Sequence, residues 1–311
     1  MQHTYHFALL HPAPRDDGER QHNDGVLGPA TLGIEVTVPA LAARCGLGNI
    51  DPQHTGGGDP RAAIEACLDY EPLPPAGACL VTIRPDLDAF GGMAVLELRA
   101  RGIPLDPALR ERVGTIAKQD RFAVGPWPGS QPLPKTLREL LALETGGETL
   151  APLAAAVADH ALAVEPRVAS VVHWLEHGEL PATHLRAVEQ RTARLLAAIS
   201  SGDAQFDTIA EGRIALVRGS ADGLLRLGYC LAPIVIALNP AFRFRGGPAH
   251  IKFTVAQYEQ GYVDLAGVVR DLSAVEPGWG GSATIIGSPQ ERSSRLPFDA
   301  VATAVEKRML R

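Results

Sequence analysis

One segment of the chain limits the choice of fold more than any other. The apolar run Ala78–Ile83 has the length and composition of a buried parallel strand. Pro85 has no backbone N–H and therefore ends the pairing, and the acidic turn Asp86-Leu87-Asp88 follows. Apolar side chains then recur with helical periodicity over Ala89–Arg101, and Gly102 ends the helix. A strand, a tight turn and a helix form half of a βαβ unit, so the sequence predicts an α/β fold with a parallel sheet.

The first part of the chain, residues 1–128, is predicted to be an N-terminal parallel-sheet domain. Short β-branched segments alternate there with helical ones, which is the pattern of a parallel sheet. The predicted strands lie at 5–10, 34–38 and 78–83. The predicted helices lie at 40–45, 60–70, with Asp59 as cap, 89–101 and 107–119. The polar residues 11–30 and the glycine-rich residues 46–60 are predicted to be loops.

The rest of the chain is predicted to be a helical connector and a second lobe. Prolines and glycines at 125–134 indicate a boundary, and alanine-rich helical periodicity makes 129–204 the connector. Its predicted helices lie at 136–143, 150–164, 168–177 and 183–199. Residues 205–311 return to β-structure and are predicted to form a smaller C-terminal α/β domain. Its strands are predicted at 213–217, 234–238 and 251–258, and its helices at 264–275 and 297–308.

The composition excludes several classes of protein. Hydrophobic residues make up 46% and charged residues 21% of the chain, so a wholly disordered protein is excluded. The net charge of −6 argues against a long nucleic-acid duplex as partner. Four cysteines without a C-x-x-C pair indicate free thiols in a reducing compartment. The longest apolar run, Leu227–Leu238, is too short to cross a membrane, and the first residues do not resemble a signal peptide, so a cytoplasmic location is expected.

The acidic turn also suggests chemistry. Asp86 and Asp88 lie two residues apart after a strand, where ligands of open parallel sheets bind. Two carboxylates on such a turn can converge on a divalent cation, and oxygen ligands suit Mg and Mn. The alternative is that both aspartates cap the next helix by accepting its free N–H groups. The two residues alone leave both interpretations open.

Two stretches of sequence resemble one protein family. Pro85-Asp86-Leu87-Asp88-Ala89-Phe90-Gly91-Gly92, placed after an apolar strand, resembles the first motif of the DHH phosphoesterase superfamily. Residues 251–289, through Gly278-Trp279-Gly280-Gly281 to Gly287-Ser288-Pro289, resemble the glycine-rich associated domain that follows DHH domains. Both stretches lie in the family's order, with a helical connector between them. Together they cover about half of the chain.

This resemblance implies an activity and a set of site residues. It implies two α/β lobes facing across a cleft, one or two Mn or Mg ions in the N-terminal lobe, and phosphate or nucleotide binding by the C-terminal lobe. It also implies hydrolysis of a phosphodiester or phosphoanhydride. Asp86 and Asp88 match the first-motif metal ligands, so they are the candidate catalytic residues and are expected to face the cleft. Asp120, after the next helix, is a candidate for a later aspartate ligand.

The chain also departs from the family pattern. It has no Asp-His-His triplet, and Thr82-Ile83-Arg84 stands where a histidine is expected before the turn. The nearest substitute for the triplet is Asp51-Pro52-Gln53-His54, which precedes the first motif. Asp51 and His54 are therefore further candidate metal ligands. The same segment can equally be a turn. Arg84 is an alternative occupant of a vacated metal position, because it brings its own positive charge.

A second group of candidate residues lies in the C-terminal domain. Basic residues surround the start of a strand: Arg243, Arg245, His250 and Lys252. Backbone N–H groups of the glycine-rich stretch can cradle a phosphate while arginines neutralise it. The predicted substrate-binding residues are therefore Arg243, Arg245, His250, Gly278, Trp279, Gly280 and Gly281. The alternative is a solvated basic edge strand beside a flexible loop, with Trp279 filling space instead of stacking on a base.

These observations predict an atypical DHH-like phosphoesterase that uses Mn or Mg. Its expected substrate is a small phosphodiester, a nucleotide or a short oligonucleotide. The alternative function is non-catalytic binding of a nucleotide or phosphate by a protein that has lost the metal site, which the missing histidines favour. A homodimer is compatible with either function.

Overall fold

The chain folds as two compact units in a computed structural model. The residues that it describes are 4–52, 61–121, 126–143, 150–159, 161–179, 182–243, 247–290 and 292–310. Unit 1 comprises Met1–Asp120 and Leu150–Leu185, and unit 2 comprises Arg121–Thr149 and Arg186–Arg311. The chain therefore leaves unit 1, enters unit 2, and returns once before unit 2 is completed.

Unit 1 is built on a four-stranded parallel sheet. Its strands are β1 (His6–Leu9), β2 (Thr31–Ile34), β3 (Asn49–Ile50) and β4 (Cys79–Thr82). They lie side by side in the order β1-β4-β2-β3. The apolar run that was predicted as a buried parallel strand is a central strand of this sheet, and the predicted N-terminal parallel-sheet fold is confirmed.

Helices occupy much of both units. In chain order they are α1 (Asp17–Val26), α2 (Pro39–Ala42), α3 (Ala63–Leu68), α4 (Leu87–Ala100), α5 (Pro107–Asp120), α6 (Leu137–Leu143), α7 (Ala151–Ala158), α8 (Val164–His177), α9 (Ala182–Ser201), α10 (Leu224–Gly228), α11 (Leu265–Val275) and α12 (Phe298–Glu306). None of them, within the described ranges, is long and apolar enough to span a bilayer.

The part of the chain that follows the strands of unit 1 and precedes the strands of unit 2 is helical, as predicted. Its helices belong to both units: α7 and α8 lie in unit 1, whereas α6 and most of α9 lie in unit 2. The helix expected over 150–164 ends at Ala158, and α8 begins at Val164, before the expected start. The domain limits at 128 and 204 remain predictions.

Helix α4 is at the centre of the unit 1 core. Every residue from Leu87 to Leu98 is buried, as in a helix that is surrounded on all sides. Gly91 allows a close approach to α3, because a Cβ there would lie 2.5 Å from Ile64 Cδ1. Gly92 allows a similar approach to Cys67, at 3.0 Å from its Sγ. Small residues in the first turns of α4 therefore bring α3 and α4 together next to the acidic turn.

Unit 2 contains a six-stranded mixed sheet, which agrees with the predicted C-terminal α/β fold. Its strands are β5 (Gln205–Ile209), β6 (Ile214–Arg218), β7 (Ile234–Phe242), β8 (His250–Gln257), β9 (Gly280–Gly281) and β10 (Ile285–Gly287). Their order is β5-β6-β7-β8-β10-β9, and all neighbouring pairs are antiparallel except β6 and β7. One face packs under α11 and α12 through Phe253 and Val255, and Ala256 lies in a second cluster on the other face.

Two polar elements differ from the sequence prediction. Residues 17–26, expected to be loop, form α1, because the Asp16 side chain caps it by accepting the Glu19 N–H at 2.9 Å. Asn23 is the only buried residue of this helix, so it lacks the apolar stripe that marks most helices. Strand β5 was not predicted, because it lies at a sheet edge and its residues are exposed or half-buried.

Candidate functional site

Acidic residues follow three neighbouring strands of the unit 1 sheet. Glu35 comes directly after β2, Asp51 comes directly after β3, and Asp86 follows β4 through a short turn. Because these strands are parallel, their carboxyl ends lie at one edge of the sheet, where ligands of such folds bind. The acidic turn thus has the predicted position at the end of a central parallel strand.

Asp86 begins helix α4. Its extended backbone makes it the N-cap, and its Oδ1 accepts the Ala89 N–H at 3.0 Å. Burial raises its pKa, while the Ala89 hydrogen bond opposes that rise. The neighbouring Glu35 carboxyl group also opposes this rise, whereas the Asp86 charge raises the pKa of Glu35. Two neighbouring acids that shift each other's pKa can between them donate and accept a proton.

Asp88 connects two helices. It is 2% exposed, and its Oδ2 and Oδ1 accept the N–H groups of Ala63 and Ile64, both at 2.8 Å. These are the first amides of α3, which has no side-chain cap of its own because its N-cap is Ala62. Burial raises the Asp88 pKa to about 8, with the Asp120 charge as the next cause and the two amides opposing. Asp59, the cap expected from the sequence, lies outside the described residues.

Glu35 is the residue that sequence reasoning missed. It is 2% exposed and adopts a left-handed backbone conformation, with φ of 53°. Burial raises its pKa to about 10, and the charges of Asp86, Asp88 and Asp120 add to the rise. Arg84 opposes it, with Nη1 3.9 Å from Glu35 Oε1. An acidic residue between Ile34 and Val36 in a buried run was the available signal.

Four acidic side chains therefore influence one another at this edge of the sheet. The fourth, Asp120, is the last residue of α5, and its charge raises the pKa of the other three. We call Glu35, Asp86, Asp88 and Asp120 the acidic cluster. Arg84 lies beside it and supplies positive charge, with Nη1 3.9 Å from Glu35 Oε1. That Arg84 occupies a vacated metal position stays a prediction.

The predicted metal ligands are only partly brought together. Asp51 is 5% exposed and lines an open cavity of about 440 Å³ with Arg61, Asp69 and Tyr70. His54 lies outside the described residues. The carboxylates of the cluster suit Mg or Mn chemically. Yet among the residues with described positions, no three His, Cys, Asp or Glu side chains are arranged to hold a metal ion. We therefore assign no reaction step to a metal.

The glycine-rich stretch of unit 2 is structured differently from the predicted phosphate cradle. Gly280 and Gly281 form β9 and pair with β10. Trp279 is 5% exposed, stacks on Phe253 and donates its Nε1–H to Glu276 Oε2 at 3.0 Å. It therefore fills the core, which was the alternative to base stacking.

A buried carboxylate beside this stretch also argues against an anion there. Glu276 accepts hydrogen bonds from Trp279, Ser294 Oγ at 2.7 Å and the Arg295 N–H at 2.7 Å. Burial opposes ionisation, but these bonds outweigh it and the Glu276 pKa is lowered. An ionised carboxylate next to Gly278–Gly281 repels a phosphate.

The predicted basic residues have unequal surroundings. Arg243 is exposed, and its Nη1 donates to the Gly247 carbonyl oxygen at 3.2 Å. Arg245 lies outside the described residues. His250 is 7% exposed and packs edge-on against Phe242. Of the described members of this group, His250 and Lys252 are buried and Arg243 is exposed.

Comparison with known proteins gives matches at the level of structure only. No protein-family profile and no curated protein matches the chain. The fold is similar to the pGpG-specific phosphodiesterase PggH from Vibrio cholerae, at 13% identity and a TM-score of 0.37, over 72% of this chain and 73% of that one.

Two structures of RecJ from Thermus thermophilus are similar too. The RecJ complex with Mg²⁺ matches at 13% identity and a TM-score of 0.33, over 92% of this chain and 51% of RecJ. The Mn²⁺ complex matches at 14% and 0.32, over 92% and 53%. This chain spans about half the length of RecJ. PggH and RecJ belong to the DHH superfamily that the sequence resembles. At these identities and TM-scores, the matches say nothing about the substrate or metal of this chain.

Proposed function

We propose that this chain hydrolyses a small phosphodiester or nucleotide and that the acidic cluster is its reaction centre. The supporting observation is the burial of Glu35 and Asp88, each 2% exposed, beside Asp86 and Asp120. Burying several acids together is unfavourable, and groups with strongly shifted pKa values are concentrated at active sites. Their position at the carboxyl ends of parallel strands is the usual ligand site of such a sheet.

The cluster contains the groups that hydrolysis requires. Glu35 and Asp86 shift each other's pKa, so one carboxyl group can protonate the leaving oxygen while the other accepts a proton from the attacking water. Water then forms the new P–O bond as the bond to the leaving oxygen breaks. The Arg84 guanidinium, 39% exposed, is available to the phosphoryl oxygens on which negative charge develops.

The requirement for Mn or Mg is a further part of the proposal. Carboxylates are hard ligands that suit both ions. Because no three such side chains of the described residues are arranged around one ion, binding either ion would need carboxylates of the acidic cluster to converge and to release the protons that they hold. Proton release on adding Mn²⁺, measured in weakly buffered solution, is a readout that does not depend on turnover.

Non-catalytic binding is the second candidate function. It is favoured by Asp88, whose two oxygens both accept backbone N–H groups, and by Asp86, which caps α4. Arg84 then provides the positive charge that a metal would otherwise supply. Such a protein binds a phosphorylated ligand without hydrolysing it.

Hydrolysis of bis(p-nitrophenyl) phosphate distinguishes the two functions. The assay is run with Mn²⁺, with Mg²⁺ and with EDTA, on the wild type and on Asp86→Asn and Glu35→Gln. General acid–base catalysis contributes roughly 10²–10⁴-fold, so both variants should lose at least about 10²-fold in rate.

Matched controls are Asp17→Asn, whose side chain is 86% exposed, and the exposed Glu111→Gln. Wild-type turnover no greater than that of Asp86→Asn under all three conditions would reject the enzyme and leave the binding protein.

A further inference from the structure

A pair of histidines lies where strand β1 of unit 1 ends. His11 follows the last residue of β1 by two positions, and His22 belongs to α1. Their ring centroids are 5.4 Å apart, and the ring planes are inclined by 82°. His22 is exposed, and the His11 side chain is 41% exposed. Two imidazoles from different segments of the chain therefore lie side by side and are open to small solutes.

A buried amide fixes His11 beside α1. Asn23 is 2% exposed and is the residue of α1 that is buried. Its Oδ1 accepts the His11 N–H at 2.9 Å, and its Nδ2 donates to the His11 carbonyl oxygen at 2.8 Å. Both backbone groups of His11 are thus held by one side chain, and that side chain is the sequence neighbour of His22. The two rings are therefore placed next to each other before any ligand binds.

Each ring has one nitrogen that faces a protein oxygen. His22 Nε2 lies 3.1 Å from the Leu9 carbonyl oxygen, which can only accept, so Nε2 carries the proton and Nδ1 keeps its lone pair. His11 Nδ1 lies 3.7 Å from Glu19 Oε1, which leaves Nε2 for a ligand. Histidines that bind metals commonly have this arrangement, because a carbonyl or carboxylate oxygen at the outer nitrogen orients the ring.

The carboxylate beside His11 is ionised. Glu19 accepts hydrogen bonds from Arg15 Nη2 at 2.6 Å, from Arg15 Nε at 3.0 Å and from the Arg15 backbone N–H at 2.7 Å. These bonds lower the Glu19 pKa to about 2, so its charge is present at neutral pH. A carboxylate at the outer nitrogen makes an imidazole a better ligand, and here it also balances the charge of Arg15.

The spacing of the two rings fits one metal ion between them. Metal–nitrogen bonds of about 2.0–2.1 Å at a tetrahedral angle place the centroids of two bound imidazoles about 5 Å apart, close to the observed 5.4 Å. Imidazole suits Zn²⁺, Ni²⁺ and Cu²⁺, whereas carboxylate, carbonyl and water oxygens suit Mg²⁺ and Mn²⁺. The chemistry of this pair thus differs from that of the acidic cluster.

We propose that His11 Nε2 and His22 Nδ1 bind one late first-row transition-metal ion such as Zn²⁺. Water completes the coordination, since the described residues offer no group of three His, Cys, Asp or Glu side chains around one ion. The bound ion joins α1 to the end of β1. This site goes beyond the proposed hydrolysis, because it uses no residue of the acidic cluster and neither Asp51 nor His54.

Histidine NMR of the full chain tests the site ring by ring. The chain has 10 histidines, whose ¹³Cε1 signals are assigned with His→Gln variants. Adding Zn²⁺ in metal-free, non-chelating buffer at slightly alkaline pH should shift the His11 and His22 signals together, with the same dissociation constant. The same concentration of Mg²⁺ should move neither signal.

Two variants sharpen this test. His22→Gln keeps a side-chain N–H for the Leu9 carbonyl oxygen but removes the imidazole, so Zn²⁺ should bind at His11 at least about tenfold more weakly. His6→Gln makes the same change at an exposed histidine of β1 and should leave the Zn²⁺ affinity at His11 unchanged.

A second histidine pair makes the ring-specific signals necessary. His173 and His177 lie one turn apart on α8, with ring centroids 4.7 Å apart, so the total amount of bound Zn²⁺ does not report on His11 and His22 alone.

Three results would overturn the proposal. The first is that the wild-type His11 and His22 signals do not move at a large molar excess of Zn²⁺, a measurement that needs no variant to fold. The second is an unchanged affinity at His11 in His22→Gln, because the two rings then do not share one ion. The third is an equal response to Mg²⁺, which would contradict a site for a transition-metal ion.

Discussion

The two units bury different clusters of titratable side chains, although unit 1 also buries Arg167 and unit 2 the Glu276 carboxylate. Unit 1 encloses carboxyl groups, with Glu35 and Asp88 each 2% exposed. Unit 2 encloses an ammonium and an imidazole, with Lys252 and His250 6% and 7% exposed. The net charge of −6 averages over this difference and conceals it. Local clusters, not the overall charge, therefore distinguish the buried acids of unit 1 from the buried bases on strand β8 of unit 2.

The largest expected effect is a loss of stability that is confined to unit 1. Asn at position 88 can accept one of the two α3 amides but presents its own N–H₂ to the other, so Asp88→Asn should destabilise unit 1 by about 2–3 kcal/mol. Urea unfolding is followed by ¹⁹F NMR of 5-fluorotryptophan, because Trp174 reports on unit 1 and Trp279 on unit 2.

Asp17→Asn is the control for this test, because it makes the same change at an exposed aspartate of unit 1. Asp17 is 86% exposed, and its loss should move neither transition. An Asp88→Asn protein as stable as the wild type would mean that the α3 amides do not depend on Asp88.

The next effect concerns the pH dependence of unit 1. The folded pKa values of Glu35 and Asp88, about 10 and about 8, exceed the ordinary values of 4.5 and 3.8. The folded state thus binds more protons than the unfolded state, and stability should fall as the pH rises from 5 to 9. The free energy of unfolding reported by Trp174, measured at each pH, gives this slope, and Glu35→Gln should flatten it. A slope of the opposite sign would show that the cluster is ionised.

Unit 2 should respond to pH in the opposite direction. Burial lowers the Lys252 pKa from 10.5 to about 8, so the folded state binds fewer protons than the unfolded state between these values. Stability of unit 2 should therefore rise from pH 8 to 10.5, as measured by the Trp279 signal in phosphate-free buffer. Lys252→Met should remove the rise, whereas Lys307→Met should keep it. Parallel pH slopes in the two units would contradict the contrast between them.

The smallest expected effect concerns Arg84. Its guanidinium lies 3.9 Å from Glu35 Oε1 and is 39% exposed, so solvent screens the interaction. Arg84→Gln should change the stability of unit 1 by less than about 1 kcal/mol. It should also raise the Glu35 pKa further, because the opposing charge is lost. The measurement is the pH above which the urea midpoint of the Trp174 transition no longer changes. A shift of this pH to a lower value in Arg84→Gln would contradict the effect of Arg84 on the Glu35 pKa.

Local signals in the sequence predicted the core elements. The apolar run before Pro85 is β4, and Asp264 caps α11 by accepting the Gly267 N–H at 2.9 Å. Such features depend on residues within a few positions of each other, so one sequence contains the whole signal. Helix α1 and strand β5 lacked an apolar pattern and were missed for that reason.

The candidate site depends on contacts between distant residues. Asp88 caps an amide 25 residues earlier, and Glu35 meets Asp86 because β2 and β4 are neighbours in the sheet. Neither contact follows from local spacing. The sequence therefore located the acidic turn but did not reveal Glu35, and it could not show that both Asp88 oxygens accept amides of α3.

The link between Asp88 and α3 also constrains the order in which unit 1 forms. A six-residue helix is unstable alone, and the first amides of α3 find their acceptors on α4. Helix α3 can therefore persist only after α4 has docked, although it comes first in the chain. The amides of Ala63 and Ile64 should exchange with deuterated solvent only when α4 separates from α3, so their exchange rate measures the free energy of that opening.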